Sequence, residues 1–437
     1  MEAHEAVADL GHALPLVSMA PFALMLLGIA VIPLRWPHSW ESHLNKGYFS
    51  IVLGLPVAVY VATFDPAVVA HTALEYASFI ALLGALFVIS GGIVLRGDIR
   101  ATAGNNTAFL AVGALLANLI GTTGASMLLV RPLLRTNVPE RKHITHIPIF
   151  FIFIVSNCAG LLTPLGDPPL FLGYLRGVPF FWTLRLIVEW SFVVVLLLGV
   201  FYAIDRIAVG RESPAMVIED RREYEPIHIV GGHNFIYLAG VVAAVLFSPA
   251  LPEGLIRQAA CLVVLASMAA LSLRTTPGPL RKENGFSFGP IQEVAVLFAG
   301  IFATMIPALE ILRARGGELG VSKPWHFYWL SGMLSSFLDN APTYLTFVSL
   351  AQGLHTAGES AVHMAGGPVP EALLAAISCG SVMMGANSYI GNGPNFMVKA
   401  IAEEQGVPMP TFFGYMAWSC GILVPLFAVV TLVFFRG

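Results

Sequence analysis

Long apolar runs separated by short polar stretches make up most of this chain. Runs close to the roughly 20 residues that cross a bilayer occupy 14–34, 48–70, 76–95, 144–175 and 184–208. After a polar stretch they resume over 235–247 with its flanks, then 255–273, 291–312, 372–400 and 412–435. Two further runs, 107–134 and 327–350, are apolar at both ends and polar, small or helix-breaking in the middle. Each is expected to form two half-length helices that meet at a polar tip and leave on the side they entered.

The run 144–175 contains Gly166-Asp167-Pro168-Pro169. A continuous helix does not tolerate that sequence, and an unpaired carboxylate does not belong in hydrocarbon. A helix broken there, lining a polar cavity at membrane depth, answers both objections. The device recurs. GLLTPLGDPPLF (160–171) aligns with GANSYIGNGPNF (385–396) at a constant offset, 385 − 160 = 225. Gly160, Gly166, Asp167, Pro169 and Phe171 thereby fall on Gly385, Gly391, Asn392, Pro394 and Phe396. The tips pair as well: ANLIGTTGASM (117–127) and SSFLDNAPTYL (335–345) correspond at 336 − 118 = 218. Interrupted apolar segments in matching positions of two halves mark the binding site of a carrier.

The expected fold is an all-α polytopic membrane protein with two inverted repeats. It has about ten spanning helices, two re-entrant hairpins (107–134 and 327–350) and one broken helix in each repeat (144–175 and 372–400). The first repeat covers 1–209, a cytoplasmic linker 210–230, and the second repeat 231–437.

Loop charges orient it. Basic residues mark the cytoplasmic side. Arg35, Lys46, Arg96, Arg100, Arg131, Arg135, Arg141, Lys142, Arg206, Arg211, Arg221, Arg222, Arg274, Arg281 and Lys282 fall on one side only if 107–134 is re-entrant. Both termini then lie outside the cytoplasm, which suits the acidic N-terminus MEAHEAVADL; Arg313, Arg315 and Lys323 run against the pattern. No basic region of a cleavable signal precedes the first run.

Composition narrows the class. Of 437 residues, 57% are hydrophobic and 11% charged, against roughly 25% charged in soluble domains. Mean hydropathy is +0.78. No basic patch with interleaved aromatics suggests nucleic acid. Cys158, Cys261, Cys379 and Cys420 lie in apolar segments without metal-ligand spacing and read as small buried residues. Gly-Asn-Gly-Pro is no phosphate-binding loop, and no nucleophile–base pair suggests an enzyme.

Asp167 is the leading candidate for ion binding, because an ionisable group at membrane depth is functional by default. Asp339 follows; beside Asn340 at the second tip it also suits a helix N-cap. Asn118, Thr122, Thr123, Ser126, Thr163, Asn340, Asn387, Ser388, Asn392 and Asn395 supply neutral polar groups, which can equally satisfy backbone freed by the breaks. Gly121, Gly124, Gly166, Gly391 and Gly393 are expected to permit the breaks. Asp65, Glu75, Glu189, Glu293 and Glu310 look like residues of segment ends, and the histidines His71, His143, His146, His326 and His355 look interfacial.

GTTGASMLLVRPLLR (121–135), SNCAGLLTPLGDPPLF (156–171) and GANSYIGNGPNFMVKA (385–400) resemble the ion transporter superfamily, in its arsenite-permease and NhaD-like sodium/proton antiporter branch. Many such chains are loosely labelled citrate transporters. The resemblance implies a scaffold domain, a transport domain of hairpins and broken helices with elevator-like motion, a homodimer, and residence in the plasma (inner) membrane. Carboxylate carriers of that superfamily have Ser-Asn-Thr at both tips. Here the tips read Ala117-Asn118-Leu119 and Ser335-Ser336-Phe337. Two carboxylates with hydroxyls and amides, and neither lysine nor arginine in either break (160–171 and 385–396), suit a hard monovalent cation. One carboxylate that takes either Na⁺ or H⁺ makes exchange obligatory. The expectation is therefore sodium/proton antiport, with Asp167 and Asp339 as sodium ligands, Na⁺ and H⁺ as the coupling ions, and no other cofactor. The alternatives are an anion carrier for citrate, a dicarboxylate or arsenite coupled to a cation, and a channel. The expected partners are the bilayer and small inorganic cations.

Overall fold

The computed structural model describes residues 10–40, 42–97, 100–139, 141–212, 226–252, 254–354 and 360–436. The centre of the linker, and His355, lie outside them. The principal helices are α1 (Ala20–Arg35), α2 (His43–Ala62), α3 (Pro66–Ser90), α4 (Ala103–Asn137), α5 (His146–Ile154), α6 (Pro168–Leu175) and α7 (Ile187–Val209) in the first half. The second half contributes α8 (Asn234–Phe247), α9 (Leu255–Thr275), α10 (Gly278–Glu283), α11 (Gly289–Arg315), α12 (Pro324–Ser335), α13 (Asn340–Gln352), α14 (Glu371–Met383), α15 (Gly393–Glu404) and α16 (Phe412–Phe434).

Among the described residues, eight helices have the length and apolarity to cross a membrane. They are fewer than the expected spans because the two broken segments are each divided, and α8 is short. One of the eight, α4, is not a straight rod. Gly121 sits at φ +79°, in the left-handed region that glycine enters without steric cost. A straight helix would put Asn106 and Asn137 about 46 Å apart at 1.5 Å per residue. Instead they exchange side-chain hydrogen bonds, Nδ2 to Oδ1, at 2.9 and 3.0 Å. The two arms of α4 are therefore antiparallel. Helices α12 and α13 also fold back on one another, the rings of Phe327 and Phe347 lying 6.2 Å apart between centroids.

Several boundaries differ from those read in the sequence. The third helix begins at Pro66, not ten residues later, because Asp65 caps it by accepting from Ala67 N at 2.8 Å and Pro66 suits its first turn. This places Glu75 inside α3, buried and ion-paired with Arg176 at 2.9 Å; it is not a residue of a segment end. The third run also ends in a strand, β1 (Val94–Arg96), which pairs antiparallel with β2 (His228–Val230) at the end of the linker. A second ribbon joins β3 (Ala361–Met364) to β4 (Gly367–Pro370). Cys158 and Cys379 are buried as expected, whereas Cys420 is exposed.

Close packing ties α3 and α2 to α11. Phe79 stacks on Phe298 at 4.9 Å, and a Cβ at Gly54 would stand 3.4 Å from the Cα of Gly300, the close backbone approach that small residues permit between membrane helices. Arg313, one of the charges that run against the loop pattern, is neutralised locally by Glu310.

Candidate functional site

Local sequence sets both breaks. Asp167 precedes Pro168-Pro169 and takes an extended conformation (φ −143°, ψ 146°) as the residue before α6, as a residue ahead of proline should. Asn392 is extended in the same way (φ −155°, ψ 143°) before α15. Each break closes through two glycines. A Cβ on Gly166 would stand 2.3 Å from the carbonyl oxygen of Gly160, and one on Gly391 would stand 2.5 Å from that of Gly385. No side chain fits at either point. Gly393 differs: nothing lies within 4 Å of a Cβ there.

The carboxylate of Asp167 is buried, 1% exposed, and three neutral donors converge on it. Thr122 Oγ1, at the tip of α4, donates to Oδ1 at 2.9 Å. Asn340 Nδ2, at the tip between α12 and α13, donates to Oδ2. Asn392 Nδ2, at the other break, donates to Oδ1 at 3.2 Å. Among the described residues no basic side chain contacts this carboxylate. Asn340 Oδ1 is buried beside it without a hydrogen-bond partner. Asp339 acts as the N-cap of α13, its Oδ1 accepting from Ala341 N at 3.0 Å.

The remaining candidates form the surrounding shell. Asn118 Oδ1 accepts from Leu162 N at 2.8 Å, and the Asn118 carbonyl accepts from Thr163 Oγ1 at 2.5 Å. In the other half Asn387 Nδ2 donates to Ser336 Oγ at 2.9 Å, and Ser388 Oγ donates to the Ser336 carbonyl. The two sets correspond residue for residue at the offsets 218 for the tips (118 and 336) and 225 for the breaks (162 and 387, 163 and 388). Further out, Thr183 Oγ1 donates to the Leu162 carbonyl at 2.8 Å and Ser419 Oγ to the Asn387 carbonyl at 2.7 Å. Ser126 shares a 2.8 Å hydrogen bond with Ser156. Asn395 Nδ2 donates to the carbonyls of Gly385 and Ser388 at 2.8 and 2.9 Å. Thr123 is half-buried and takes no part in the hydrogen bonds around Asp167.

Sequence reasoning passed over Asn157. Its Nδ2 donates to Asn395 Oδ1 at 2.6 Å and to the Ile152 carbonyl at 2.8 Å, while its Oδ1 accepts from Asn392 at 3.2 Å. It thus ties the first break to the second. The signal was present: Ser156-Asn157 are polar neighbours at membrane depth in the first broken stretch. A second omission is Asp205 near the end of α7. It is buried, pairs with Arg141, and accepts from His146 Nε2 at 2.8 Å and Asn106 Nδ2 at 2.9 Å. His146 is consequently a buried residue and not an interfacial one.

Among the described residues no group of three or more His, Cys, Asp or Glu could hold a metal ion. The site instead places one buried carboxylate among a hydroxyl and two carboxamides, with the Oδ1 of Asn340 left unpartnered.

A family model described as putative citrate transport matches residues 11–435. No curated protein matches the chain.

Proposed function

The chain belongs to the putative citrate transport family, and on that premise we propose that this multi-pass membrane protein, a secondary transporter, exchanges sodium for protons at Asp167. The observation that carries the reading is the Asp167 carboxylate itself: buried, held by Thr122, Asn340 and Asn392, and contacted by no cationic side chain. Sodium and a proton compete for one carboxylate, so that each is carried only when the other has left. The unpartnered Oδ1 of Asn340 supplies a neutral oxygen on the same tip. Asp339 supports the site electrostatically from the adjoining position.

Transport proceeds by alternating access. The two half-helical tips serve as re-entrant hairpins, and the halves are inverted repeats; the matched hydrogen bonds of Thr163 with Asn118 and Ser388 with Ser336 support this reading. The first hairpin opens to the cytoplasm and the second to the outside, with both termini outside. The protein resides in the plasma membrane as a homodimer through the early spans; a monomeric mass in nanodiscs would count against the dimer.

The family match favours a second reading, in which citrate is carried and Asp167 holds the coupling cation. One experiment separates the two. A pH gradient is imposed on everted vesicles, and Na⁺, Li⁺, K⁺, citrate and arsenite are added in turn. Sodium alone collapses the gradient, saturably, if exchange is the activity. Collapse only when citrate is present would assign the second reading, and unsaturable current would make the protein a channel.

A further inference from the structure

Two cavities lie side by side where the hairpin α4 meets β1, β2, α8 and α10. The smaller has a volume of about 110 Å³ and is lined by Arg131, Pro132, Arg135, Glu283, Asn284 and Gln405. The larger, about 420 Å³, is walled by Phe109, Val112, Leu116, Ile227, Ile229 and Phe235. Leu95 and Leu128 line both. The pair therefore forms a charged chamber joined along two leucines to an apolar crevice.

The charges in the small chamber are not balanced. Arg131 and Arg135 line it with Glu283, one cation in excess. Glu283 is taken up by Arg96, through Nε at 2.9 Å and Nη2 at 2.6 Å. Arg131 Nη2 donates to the exposed Glu404 at 3.0 Å, but its Nε is buried without a partner. Arg135 donates to the Leu95 carbonyl at 2.9 Å and is otherwise exposed. A buried guanidinium N–H left unpaired is costly, and a tetrahedral phosphate is well matched to such donors. The crevice opens on the same arm of α4 that turns Val112, Leu115 and Leu119 outward, 51%, 61% and 53% exposed. In a membrane-spanning chain that surface meets acyl chains.

We propose that this paired cavity is a binding site for one anionic phospholipid, with its phosphate on Arg131 and Arg135 and an acyl chain in the crevice between α4 and the β1–β2 ribbon. Basic pockets between membrane helices bind anionic headgroups, and a chain in the crevice removes its apolar surface from solvent. The crevice volume falls within the roughly 300–1,000 Å³ usual for small-molecule sites. A free anion would leave the crevice unfilled, and a zwitterionic lipid, whose ammonium already offsets its phosphate, would leave the excess positive charge uncompensated. The lipid would wedge between the hairpin that carries Thr122 and elements of the second half. The assignment is independent of which ion is transported.

The test is lipid retention by the purified full-length protein in neutral detergent, read by native mass spectrometry and thermal unfolding. The probes are phosphatidylglycerol, phosphatidylcholine, glycerophosphoglycerol (the same headgroup without chains) and inorganic phosphate. Phosphatidylglycerol should be retained about tenfold more tightly than phosphatidylcholine, the worth of one charge-assisted hydrogen bond, and neither chainless probe should displace it. The double variant Arg131→Gln/Arg135→Gln should bring the two lipids level. Ala108→Trp, which fills the crevice, should weaken both. Arg274→Gln, a basic residue that lines neither cavity, should change nothing. Since the double variant removes an ion pair, the exposed single variant Arg135→Gln provides the same comparison with less risk to folding. A lipid preference that survives both variants would overturn the proposal. Glycerophosphoglycerol or inorganic phosphate competing as well as the whole lipid would overturn it too, and would reduce the site to one for small anions.

Discussion

Asn392 donates through Nδ2 to Asp167 Oδ1 at 3.2 Å, and the two residues hold the same position in the two halves, 392 − 167 = 225. Each precedes the helix that restarts after a break, and each is extended. The breaks are thus alike in shape and unlike in charge, and they meet at the one point where that difference matters.

Asp167→Asn should insert and fold, because the amide keeps the volume and most of the hydrogen bonding. It should abolish sodium-dependent proton movement, since an amide neither titrates nor attracts a cation. The measurement is proton efflux from proteoliposomes at fixed Na⁺ over a series of pH values. A well-expressed variant with near-wild-type exchange would remove Asp167 from the mechanism. Asp339→Asn should weaken cation affinity without abolishing exchange, since its carboxylate caps α13.

Thr122 and Asn340 occupy matching tips, 340 − 122 = 218, and donate to opposite oxygens of the Asp167 carboxylate. Thr122→Ala and Asn340→Ala should each lower apparent sodium affinity about fivefold, the worth of a hydrogen bond of about 1 kcal/mol. Because both act on one carboxylate, the double variant should not be the sum of the singles. Sodium titrations of exchange rate decide this; additive effects would mean the tips act separately.

Gly166→Ala and Gly391→Ala should destabilise the protein by similar amounts, about 1–3 kcal/mol from overpacking, because each Cβ would collide with a carbonyl across its break. Gly393→Ala should be tolerated, having open space. Thermal unfolding in detergent would rank the three, and a Gly393→Ala as damaging as Gly391→Ala would refute the steric account.

Cysteines at Arg100 and Pro139, exposed before and after α4, should both label from the cytoplasm. Cysteines at Glu318 and Ser360, exposed before and after the second hairpin, should both label from outside. Labelling of either pair from opposite faces would mean that the intervening segment crosses the membrane.

Glu283 lies at the rim of the charged chamber. Hydrogen bonds from Arg96 hold its carboxyl below the ordinary range, against the opposing effect of partial burial, and the charges of Arg96 and Arg135 add to the effect. A carboxyl depressed on folding contributes stability above its unfolded value and loses it as pH falls through the folded one. Glu283→Gln should therefore lower stability slightly at neutral pH and make no difference in strong acid. Added salt should shrink the effect, because the pair is partly exposed. Unfolding temperature measured down an acid series, with and without salt, would show it.

The sequence by itself determined where the two apolar runs break and which acid stands at a break. Gly166-Asp167-Pro168-Pro169 and Gly391-Asn392-Gly393-Pro394 forbid a continuous helix through local sterics alone, and apolar length marks the spans through the thickness of a bilayer. It did not determine what each polar side chain touches. Asn157, Asp205, Glu75 and Arg131 find long-range partners 59 to 273 positions distant: Asp205 bonds His146, Glu75 bonds Arg176, Asn157 bonds Asn395 and Arg131 bonds Glu404. Helical periodicity is a one-dimensional signal and carries no information on such pairs. That Thr122 and not Thr123 faces Asp167 was decided by the turn at Gly121, whose positive φ folds α4 back and carries its tip to the break.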